Sequence, residues 1–159
     1  VIQSGIAGSF DLKKNGLGEV VLAKTDVFAD LGVSESNDFR TLFELNFLAE
    51  NSFPFNKGVL ENNTEFLEQF KLPLVKAITV NTVTDDKIKI EQLQKKFSAD
   101  IETMEGAALH YICLQKQIPF LQIRGISNEV GERDKENRRI KEALQNLTSS
   151  LNKILKELK

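Results

Sequence analysis

Short apolar runs alternate with amphipathic stretches along most of the chain, and this alternation predicts an α/β protein. The runs over residues 74–80 and 118–126 are almost continuously apolar and rich in β-branched side chains, which is typical of strands buried on both faces. Residues 19–27 start apolar and then alternate, so they predict a third strand. Strands that are covered on both faces and separated by helices form a largely parallel sheet.

Three amphipathic stretches predict helices. Residues 64–70 form a short one, which Thr64 could cap and Pro73 ends. Residues 88–97 place their apolar side chains on one face. Residues 135–159 predict a long terminal helix that lies on the sheet, because its apolar seam is too short for a sustained coiled coil. The seam steps by four and three residues through Ile140, Leu144, Leu147, Leu151, Ile154 and Leu158.

Phenylalanine is concentrated between residues 39 and 55, which hold five of the eleven in the chain. Phe39, Phe43 and Phe47 step by four, as on one face of a helix. This face is expected to enter the core or a dimer contact. Alternatively, together with the Pro54 turn, it forms an apolar lid over a ligand. The preceding residues 30–37 are polar and predict a loop.

The first ten residues predict the end of a buried strand over Val1–Ser4 and a tight turn at Gly5-Ile6-Ala7-Gly8. Small residues let backbone N–H groups approach a ligand closely, so the turn could hold an anion, a ribose hydroxyl or an attacking water. A glycine-rich strand exit without a ligand has the same pattern and is the commoner case for an isolated GxxG. The residues after Gly8 complete neither a Walker loop nor a dinucleotide-binding fingerprint, so neither motif is present in this segment.

Two carboxylates, Glu102 and Glu105, precede the small-residue patch 106–108 and are expected to open a helix, where exposed N–H groups favour negative charge. A favourable charge in the first turn of a helix is enough by itself to explain the presence of both carboxylates. Glu105 is the stronger candidate for a site, because residues too small to shield it follow and Met104 supplies an adaptable apolar wall. A carboxylate in such surroundings can accept two hydrogen bonds from a vicinal diol.

Ser127 and Asn128 directly follow the apolar strand predicted over residues 118–126. In α/β folds ligands collect at the C-terminal ends of strands, so these two residues lie where a site is expected. An Asn amide both donates and accepts hydrogen bonds, which suits the edge of a 6-oxopurine.

Composition and charge narrow the class of protein. The chain has 159 residues, 41% of them hydrophobic, enough for one domain with a core. A formal charge of -2 argues against a nucleic-acid partner. The single cysteine, Cys113, excludes an intrachain disulfide and suits a reducing compartment. No apolar run reaches membrane-spanning length and no leader precedes the first strand, so no membrane partner is expected and the predicted location is the cytoplasm.

Two other reactive arrangements are weaker candidates. A thiol nucleophile at Cys113 with His110 as its base is poorly placed, because both lie inside a predicted helix. The spacing of Glu102, Glu105 and His110 does not bring three ligands to one point. Neither a metal nor a cofactor is expected.

Four segments, in order along the chain, are SGIAGSF, ITVNTVT, ETMEGAALHYICLQKQIPFLQIRGISN and VGERD. Together they resemble the purine nucleoside phosphorylase and nucleosidase superfamily, and within it the futalosine hydrolases of the futalosine route to menaquinone. The resemblance implies a three-layer α/β/α sandwich around a central twisted mixed sheet. It also implies that residues 1–159 form a single nucleosidase-like domain, incomplete at its N-terminus, because the family's first strands and a water-orienting Glu have no counterpart before Val1.

The resemblance also implies roles for individual residues. Met104 and Glu105 match the ribose-binding pair, with Glu105 holding the 2′ and 3′ hydroxyls, and Asn128 matches the purine-recognition residue. The other implied substrate-binding residues are Ala7, Gly8, Thr82, Val83, Thr84 and Ser127. Arg133 and Arg40 are candidate cations for the distal carboxylate of futalosine, although a solvated surface explains either equally well.

The implied reaction is dissociative hydrolysis of an N-ribosidic bond. Glu105 stabilises an oxocarbenium-like transition state, Asn128 stabilises the departing hypoxanthine, and water adds to C1′. A methylthioadenosine/adenosylhomocysteine nucleosidase is an alternative, which Asn128 opposes because those enzymes carry Asp there. A phosphorylase is a further alternative, but it would need a phosphate-binding Arg, and the sequence near Gly5–Gly8 supplies none. A non-catalytic nucleoside-binding or oligomer-forming domain is the alternative of another class. The expected partners are a purine nucleoside and further copies of the chain, in a dimer or larger homo-oligomer.

Overall fold

The computed structural model describes residues 1–35 and 38–158, in which strands and helices alternate from residue 74 onward. The strands are β1 (Ile2–Ser9), β2 (Val20–Asp26), β3 (Gly32–Glu35), β4 (Asp38–Thr41), β5 (Leu60–Glu61), β6 (Leu74–Thr79), β7 (Ile101–Thr103) and β8 (Leu121–Glu129). The helices are α1 (Phe66–Gln69), α2 (Lys87–Phe97), α3 (Gly106–Gln115) and α4 (Ile140–Glu157). The fold is therefore α/β, as the alternation of apolar and amphipathic stretches predicts.

Six of these strands form one mixed sheet in the order β5-β2-β6-β7-β1-β8. The pairs β1–β8, β2–β6 and β6–β7 are parallel, whereas β1–β7 and β2–β5 are antiparallel. Strand β8 also pairs antiparallel with the start of β2, which closes β2, β6, β7, β1 and β8 into a ring and leaves β5 at its outside. The strands β3 and β4 form a separate two-stranded hairpin.

Helices cover both faces of the sheet. On one face α1 and α4 pack on β2 and β8, where Leu22, Ile123 and Leu147 lie in a buried cluster. Helix α3 lies on the opposite face, where its first residue, Gly106, sits against two side chains of the sheet, Gln122 and Asp26. A Cβ at residue 106 would overlap both of those side chains, so glycine is required for this close approach.

Most of the predicted elements are confirmed. The predicted strands over 19–27 and 74–80 correspond to β2 and β6, and the strand over 118–126 corresponds to β8, which continues to Glu129. The predicted helices over 64–70, 88–97 and 135–159 correspond to α1, α2 and α4. Only part of the terminal seam is buried, because Leu147 and Ile154 face the core while Leu144 and Leu158 are exposed.

The predicted turn at Gly5–Gly8 is wrong. Strand β1 runs through it to Ser9 and pairs with β8 along its whole length, because a neighbouring strand satisfies the backbone groups that a turn would leave open. The predicted position of Glu102 in the first turn of a helix is also wrong. It lies on β7, and α3 begins four residues later.

The predicted phenylalanine helix is wrong as well. Phe39 lies on strand β4, and a left-handed backbone at Asn46, with φ of 56°, interrupts any helix after it. Instead, the ring of Phe43 packs on Phe55, with 5.1 Å between ring centroids, and Phe55 packs on Tyr111 of α3. The segment that carries Phe43 and Phe55 therefore packs on α3 and does not form a helix with one apolar face.

Two smaller predictions also need correction. Thr64 does not cap α1, because its hydroxyl donates to the side chain of Asn62. The loop predicted over 30–37 is mostly strand β3, which pairs with β4, and residues 36 and 37 of that prediction lie outside the described residues. Among the described residues, no helix combines the length and apolar character needed to cross a membrane.

Candidate active site

A cleft of about 470 Å³ opens where β1 and β8 end beside the start of α3. Because β1 and β8 are parallel, Gly8 and Asn128 lie opposite each other at the same edge of the sheet. On its other side Gly8 pairs with Glu102 of β7. The cleft is lined by Ser4, Gly5, Ile6, Ala7, Gly8, Val83, Thr84, Glu102, Thr103, Met104, Glu105, Arg124, Ser127, Asn128, Gly131, Glu132, Arg133 and Arg138.

Glu105 and Arg124 form an ion pair within this cleft. Arg124 Nη1 lies 3.6 Å from Glu105 Oε2, and the arginine side chain is 4% exposed whereas that of Glu105 is 64% exposed. Gln3 connects the pair, since its Oε1 accepts a hydrogen bond of 2.7 Å from Arg124 and its Nε2 donates to the Glu105 carbonyl. The guanidinium is therefore fixed while the carboxylate remains open to a ligand.

Burial sets the electrostatics of this pair. Desolvation lowers the pKa of the Arg124 guanidinium, and the nearby carboxylates of Glu105 and Asp26 oppose that shift. Glu105 occupies the N-cap position of α3, although its side chain makes no capping hydrogen bond. The cleft therefore holds an exposed carboxylate beside a buried guanidinium.

Asn128 is oriented by its neighbour Ser127. An irregularity in the β1–β8 pairing, where Ala7 pairs with Ile126 and Gly8 with Asn128, places Ser127 in the position of a β-bulge. The Ser127 hydroxyl lies 2.7 Å from Asn128 Oδ1 and 3.3 Å from the Ala7 carbonyl. The amide oxygen of Asn128 thus faces Ser127. The amide nitrogen of Asn128 lies on the opposite side and donates a hydrogen bond to the Glu129 carbonyl.

Glu102 is a buried carboxylate on the wall of the cleft. It is 8% exposed, and its Oε2 has no hydrogen-bond partner among the described residues. Burial and the nearby charge of Asp30 raise the pKa of Glu102 to about 7. The sequence predicts that Glu102 lies at a helix start, because strand β7 has only three residues and leaves no recognisable pattern.

A buried chain of polar groups holds the start of α3. Thr79 donates 2.9 Å to Asp26 Oδ1 and accepts 2.8 Å from the backbone N–H of Ala107, and its hydroxyl lies 3.2 Å from that of Thr103. Burial raises the pKa of Asp26 to about 7 against the opposing hydrogen bonds. Because Ala107 is two residues from Glu105, this chain fixes the helix terminus that presents the carboxylate.

Thr79→Val should weaken both the fold and the placement of Glu105. The substitution keeps the shape but leaves the buried Ala107 N–H without its acceptor. It also removes one of the two hydrogen bonds to Asp26 Oδ1, which keeps the one from the Val27 N–H. We expect a loss of about 2 kcal/mol in the free energy of unfolding, measured by urea denaturation. Thr148→Val on the exposed face of α4 removes one hydroxyl from a helix surface and should change that free energy by less than about 0.5 kcal/mol. Equal effects of the two variants would show that the Thr79 contacts are not stabilising.

Comparison with known proteins identifies the family. The family model of the Phosphorylase superfamily matches residues 1–159. The chain belongs to this superfamily. It is 32% identical over 161 residues to a futalosine hydrolase from Thermus thermophilus, and the match covers 96% of the chain and 68% of that relative. The chain spans 60–68% of the length of the curated relatives that it matches.

Solved structures of the superfamily share the fold. A native futalosine hydrolase from Helicobacter pylori strain 26695 superposes with a TM-score of 0.79 at 20% identity, covering 99% of the chain and 67% of that structure. A methylthioadenosine/adenosylhomocysteine nucleosidase from Colwellia psychrerythraea 34H in complex with adenine superposes with a TM-score of 0.75 at 21% identity, covering 99% and 66%. The predicted fold class, an α/β/α arrangement around a mixed sheet, is confirmed.

The structure brings together nearly all the residues that the resemblance to this superfamily singled out. The cleft contains Ala7, Gly8, Val83, Thr84, Met104, Glu105, Ser127 and Asn128. Thr82 lies on an exposed bend after β6 and is not among the lining residues. Of the two candidate cations for a distal carboxylate, Arg133 lines the cleft, whereas Arg40 pairs with Glu35 on the hairpin.

Arg124 is the main residue that sequence reasoning did not assign to the site. Its signal was present, since a charged side chain inside an apolar strand is rare and needs a partner. His110 and Cys113 are both buried on α3 and do not line the cleft. Among the described residues, no three His, Cys, Asp or Glu side chains are grouped as metal ligands would be.

Proposed function

We propose that the chain hydrolyses the N-ribosidic bond of a purine nucleoside, with futalosine as substrate and hypoxanthine as leaving base. The observation that supports this most directly is the convergence of Glu105, Arg124 and Asn128 on one cleft. A carboxylate suited to a diol and an amide suited to a base edge lie at two sides of the same opening. Such a pair matches the two halves of a nucleoside.

Glu105 is proposed to bind the ribose. Its exposed carboxylate accepts hydrogen bonds from the 2′ and 3′ hydroxyls, while buried Arg124 holds it in place from behind. As the C1′–N9 bond breaks, positive charge develops on the sugar, and a fixed negative group beside it stabilises that charge. Water then adds to C1′ through its oxygen, and the proton it loses neutralises the departing purine anion.

Asn128 is proposed to stabilise the departing base. With its oxygen turned to Ser127, the amide nitrogen can donate to N7 or O6 of a 6-oxopurine. Met104, which is 46% exposed, supplies an apolar wall beside the sugar and base. The amide is not an acid, so it favours a leaving base whose negative charge a hydrogen bond suffices to stabilise.

The choice of futalosine comes from the curated relatives, which are described as futalosine hydrolases from Thermus thermophilus, Acidothermus cellulolyticus and Streptomyces coelicolor. On this basis we place the reaction in the futalosine route to menaquinone and in the cytoplasm. The buried single thiol of Cys113 is compatible with that compartment.

The function is tested by chromatography of the purine released from futalosine, inosine and methylthioadenosine in parallel. We expect hypoxanthine from futalosine. Adenine from methylthioadenosine would instead support a methylthioadenosine nucleosidase. If no substrate releases a purine while the chain still binds nucleosides, the proposal of catalysis fails in favour of a binding domain.

Asn128→Asp should weaken the release of a 6-oxopurine base. A carboxylate cannot donate to O6 or N7 unless it is protonated, so hypoxanthine release from futalosine should fall by about 10- to 100-fold in kcat/KM. Asn63→Asp, at an exposed position outside the cleft, is the matched control and should leave the rate unchanged. An undiminished rate in Asn128→Asp would remove the amide from the mechanism.

We also infer a homo-oligomer of the chain. Two large apolar side chains are exposed near α3: Phe53 is 65% exposed, and Ile112, on the helix itself, is 55% exposed. The side chain of Gln115 on α3 donates a hydrogen bond to the Phe53 carbonyl. A pair of large exposed apolar side chains on one face is typical of an interface. Sedimentation equilibrium of the native chain and of Phe53→Asp tests this, and a monomeric native chain would exclude it.

A further inference from the structure

Asp26 carries a buried carboxyl group that the proposed reaction does not use. Its Oδ1 accepts hydrogen bonds from the Thr79 hydroxyl and the Val27 N–H, whereas its Oδ2 has no hydrogen-bond partner among residues 1–35 and 38–158. Asp26 is 0% exposed, and burying an acid whose oxygen lacks a partner costs stability. An asparagine would fit the same space without burying an ionisable group, so stability alone does not explain an acid at this position.

Asp26 lies on the interior side of the Arg124 guanidinium. Side chains alternate along β8, so Gln122 and Arg124 point to the same face of the sheet. A Cβ at Gly106 would overlap both Gln122 Nε2 and Asp26 Oδ2, so the Asp26 carboxyl lies beside the first of these two side chains. The charges of Asp26 and Arg124 attract each other within this interior.

Arg124 therefore lies between two carboxyl groups. Its Nη1 is 3.6 Å from Glu105 Oε2 on the cleft side, its Nη2 donates to Gln3, and its Nε has no hydrogen-bond partner among the described residues. A guanidinium keeps its positive charge throughout the pH range in which carboxyl groups titrate. When Asp26 is neutral, the charge of Arg124 offsets much of the field of Glu105 in the cleft. When Asp26 is ionised, it balances Arg124 from the interior, and the charge of Glu105 acts on the ligand.

We propose that Asp26 is a positioning residue for the reaction, which as an anion neutralises Arg124 and so lets Glu105 present its full negative charge to the sugar. The effect is greatest in the transition state, where the sugar carries positive charge. Asp26 does not line the cleft, so it acts only through Arg124. The inference rests on the proposed function and makes its rate depend on the protonation of a group in the interior.

The charged groups around this pair allow the effect of Asp26 to be isolated. Burial raises the pKa of Asp26 to about 7, so its carboxyl is mostly neutral at pH 5.5 and mostly ionised at pH 8. His110 of α3 is neutral at both values, because burial lowers its pKa to about 4. Glu102 of β7 titrates in the same range as Asp26, since burial raises its pKa to about 7 as well. It is present in both the native chain and an Asp26 variant, so only Asp26 distinguishes their pH profiles.

Asp26→Asn tests this role through the pH dependence of kcat. At pH 8 the variant should release hypoxanthine from futalosine about tenfold more slowly than the native chain, with KM little changed. At pH 5.5 the two rates should agree. Asp38→Asn, at an exposed position on β4 outside the cleft, is the matched control and should keep the native profile. Loss of a merely structural contact would lower rate and stability together, whereas Asp26→Asn should be slower at pH 8 without being less stable.

A binding measurement separates this inference from the proposed hydrolysis. Calorimetry gives the ratio of two affinities, that for a nucleoside analogue with a protonated nitrogen in its sugar ring and that for neutral inosine. At pH 8 this ratio should be about tenfold lower in Asp26→Asn than in the native chain, which supports the assignment even if no nucleoside is cleaved. Equal ratios in the two folded proteins, or a variant that is less stable and loses both ligands alike, would overturn it. A native chain that binds neither ligand would remove the proposed function and this inference with it.

Discussion

Replacing Glu105 by glutamine should lower kcat/KM for hydrolysis of futalosine by about three orders of magnitude. Removing one group aimed at developing charge in a transition state costs about 10²- to 10³-fold, and Glu105 is proposed to contribute both its charge and its hydrogen bonds to the ribose. The variant also leaves the guanidinium of Arg124, 4% exposed, without its charged partner in the cleft. Most of the loss should appear in kcat, because the charge matters most in the transition state.

Steady-state release of hypoxanthine, followed by chromatography, measures this effect. As a matched control, Glu157→Gln at an exposed position at the end of α4 should retain the native rate, and circular dichroism should show that Glu105→Gln is folded. Glutamine retains an oxygen that can accept from the diol, so KM should change less than kcat. A folded Glu105→Gln variant with a kcat within about threefold of the native value would exclude the proposed role of the charge.

Asp26→Asn should raise the free energy of unfolding relative to the native protein, by about 3 kcal/mol more at pH 8 than at pH 4.5. Burial raises the pKa of Asp26 from 3.8 to about 7, so the folded chain holds its proton more tightly than the unfolded chain does. As pH rises from about 4 to 7 the unfolded chain loses this proton first, and the free energy of unfolding falls. Asparagine cannot ionise and does not lose this stability.

Urea unfolding of both proteins at pH 4.5 and pH 8 tests the sign. His110, whose pKa is lowered to about 4 by burial, contributes the opposite slope below its usual pKa of 6.5. Because His110 is present in both proteins, its contribution cancels in their difference. The carboxyl of Glu102 cancels in the same way. A difference that stays constant with pH would mean that Asp26 is not the group that titrates.

The sequence predicted the long elements and most of the residues that line the candidate cleft, and it failed where a residue's position depends on its neighbours in space. β6 and β8 are recognisable from continuous apolar runs, and α2 from one apolar face. Strand β7 has three residues, too few for any periodicity, so Glu102 was placed on a helix. Gly5 and Gly8 suggested a turn, yet β8 pairs with this segment from a sequence distance of more than one hundred residues.

The site itself was predictable to the extent that its chemistry lies at element ends. Glu105 directly precedes the small residues 106–108, Asn128 comes just after the apolar run over 118–126, and the structure places both in one cleft. The residues that hold this site in place could not be predicted in the same way. Gln3 holds Arg124 across the β1–β8 pairing, and Thr79 holds α3 from β6. Such contacts join distant parts of the chain, and no local pattern indicates them.

The position of β1 between β7 and β8 has a consequence for synthesis of the chain. Residues 2–9 leave the ribosome more than ninety residues before β7 and about 120 before β8, their two partners in the sheet. At about 5–20 residues per second, the strand waits roughly 6–24 seconds for both neighbours. During that interval its two hydrogen-bonding edges are unpaired, which makes a nascent strand prone to association with other chains. The cleft, which Gly8 lines, therefore cannot form until β8 has left the ribosome.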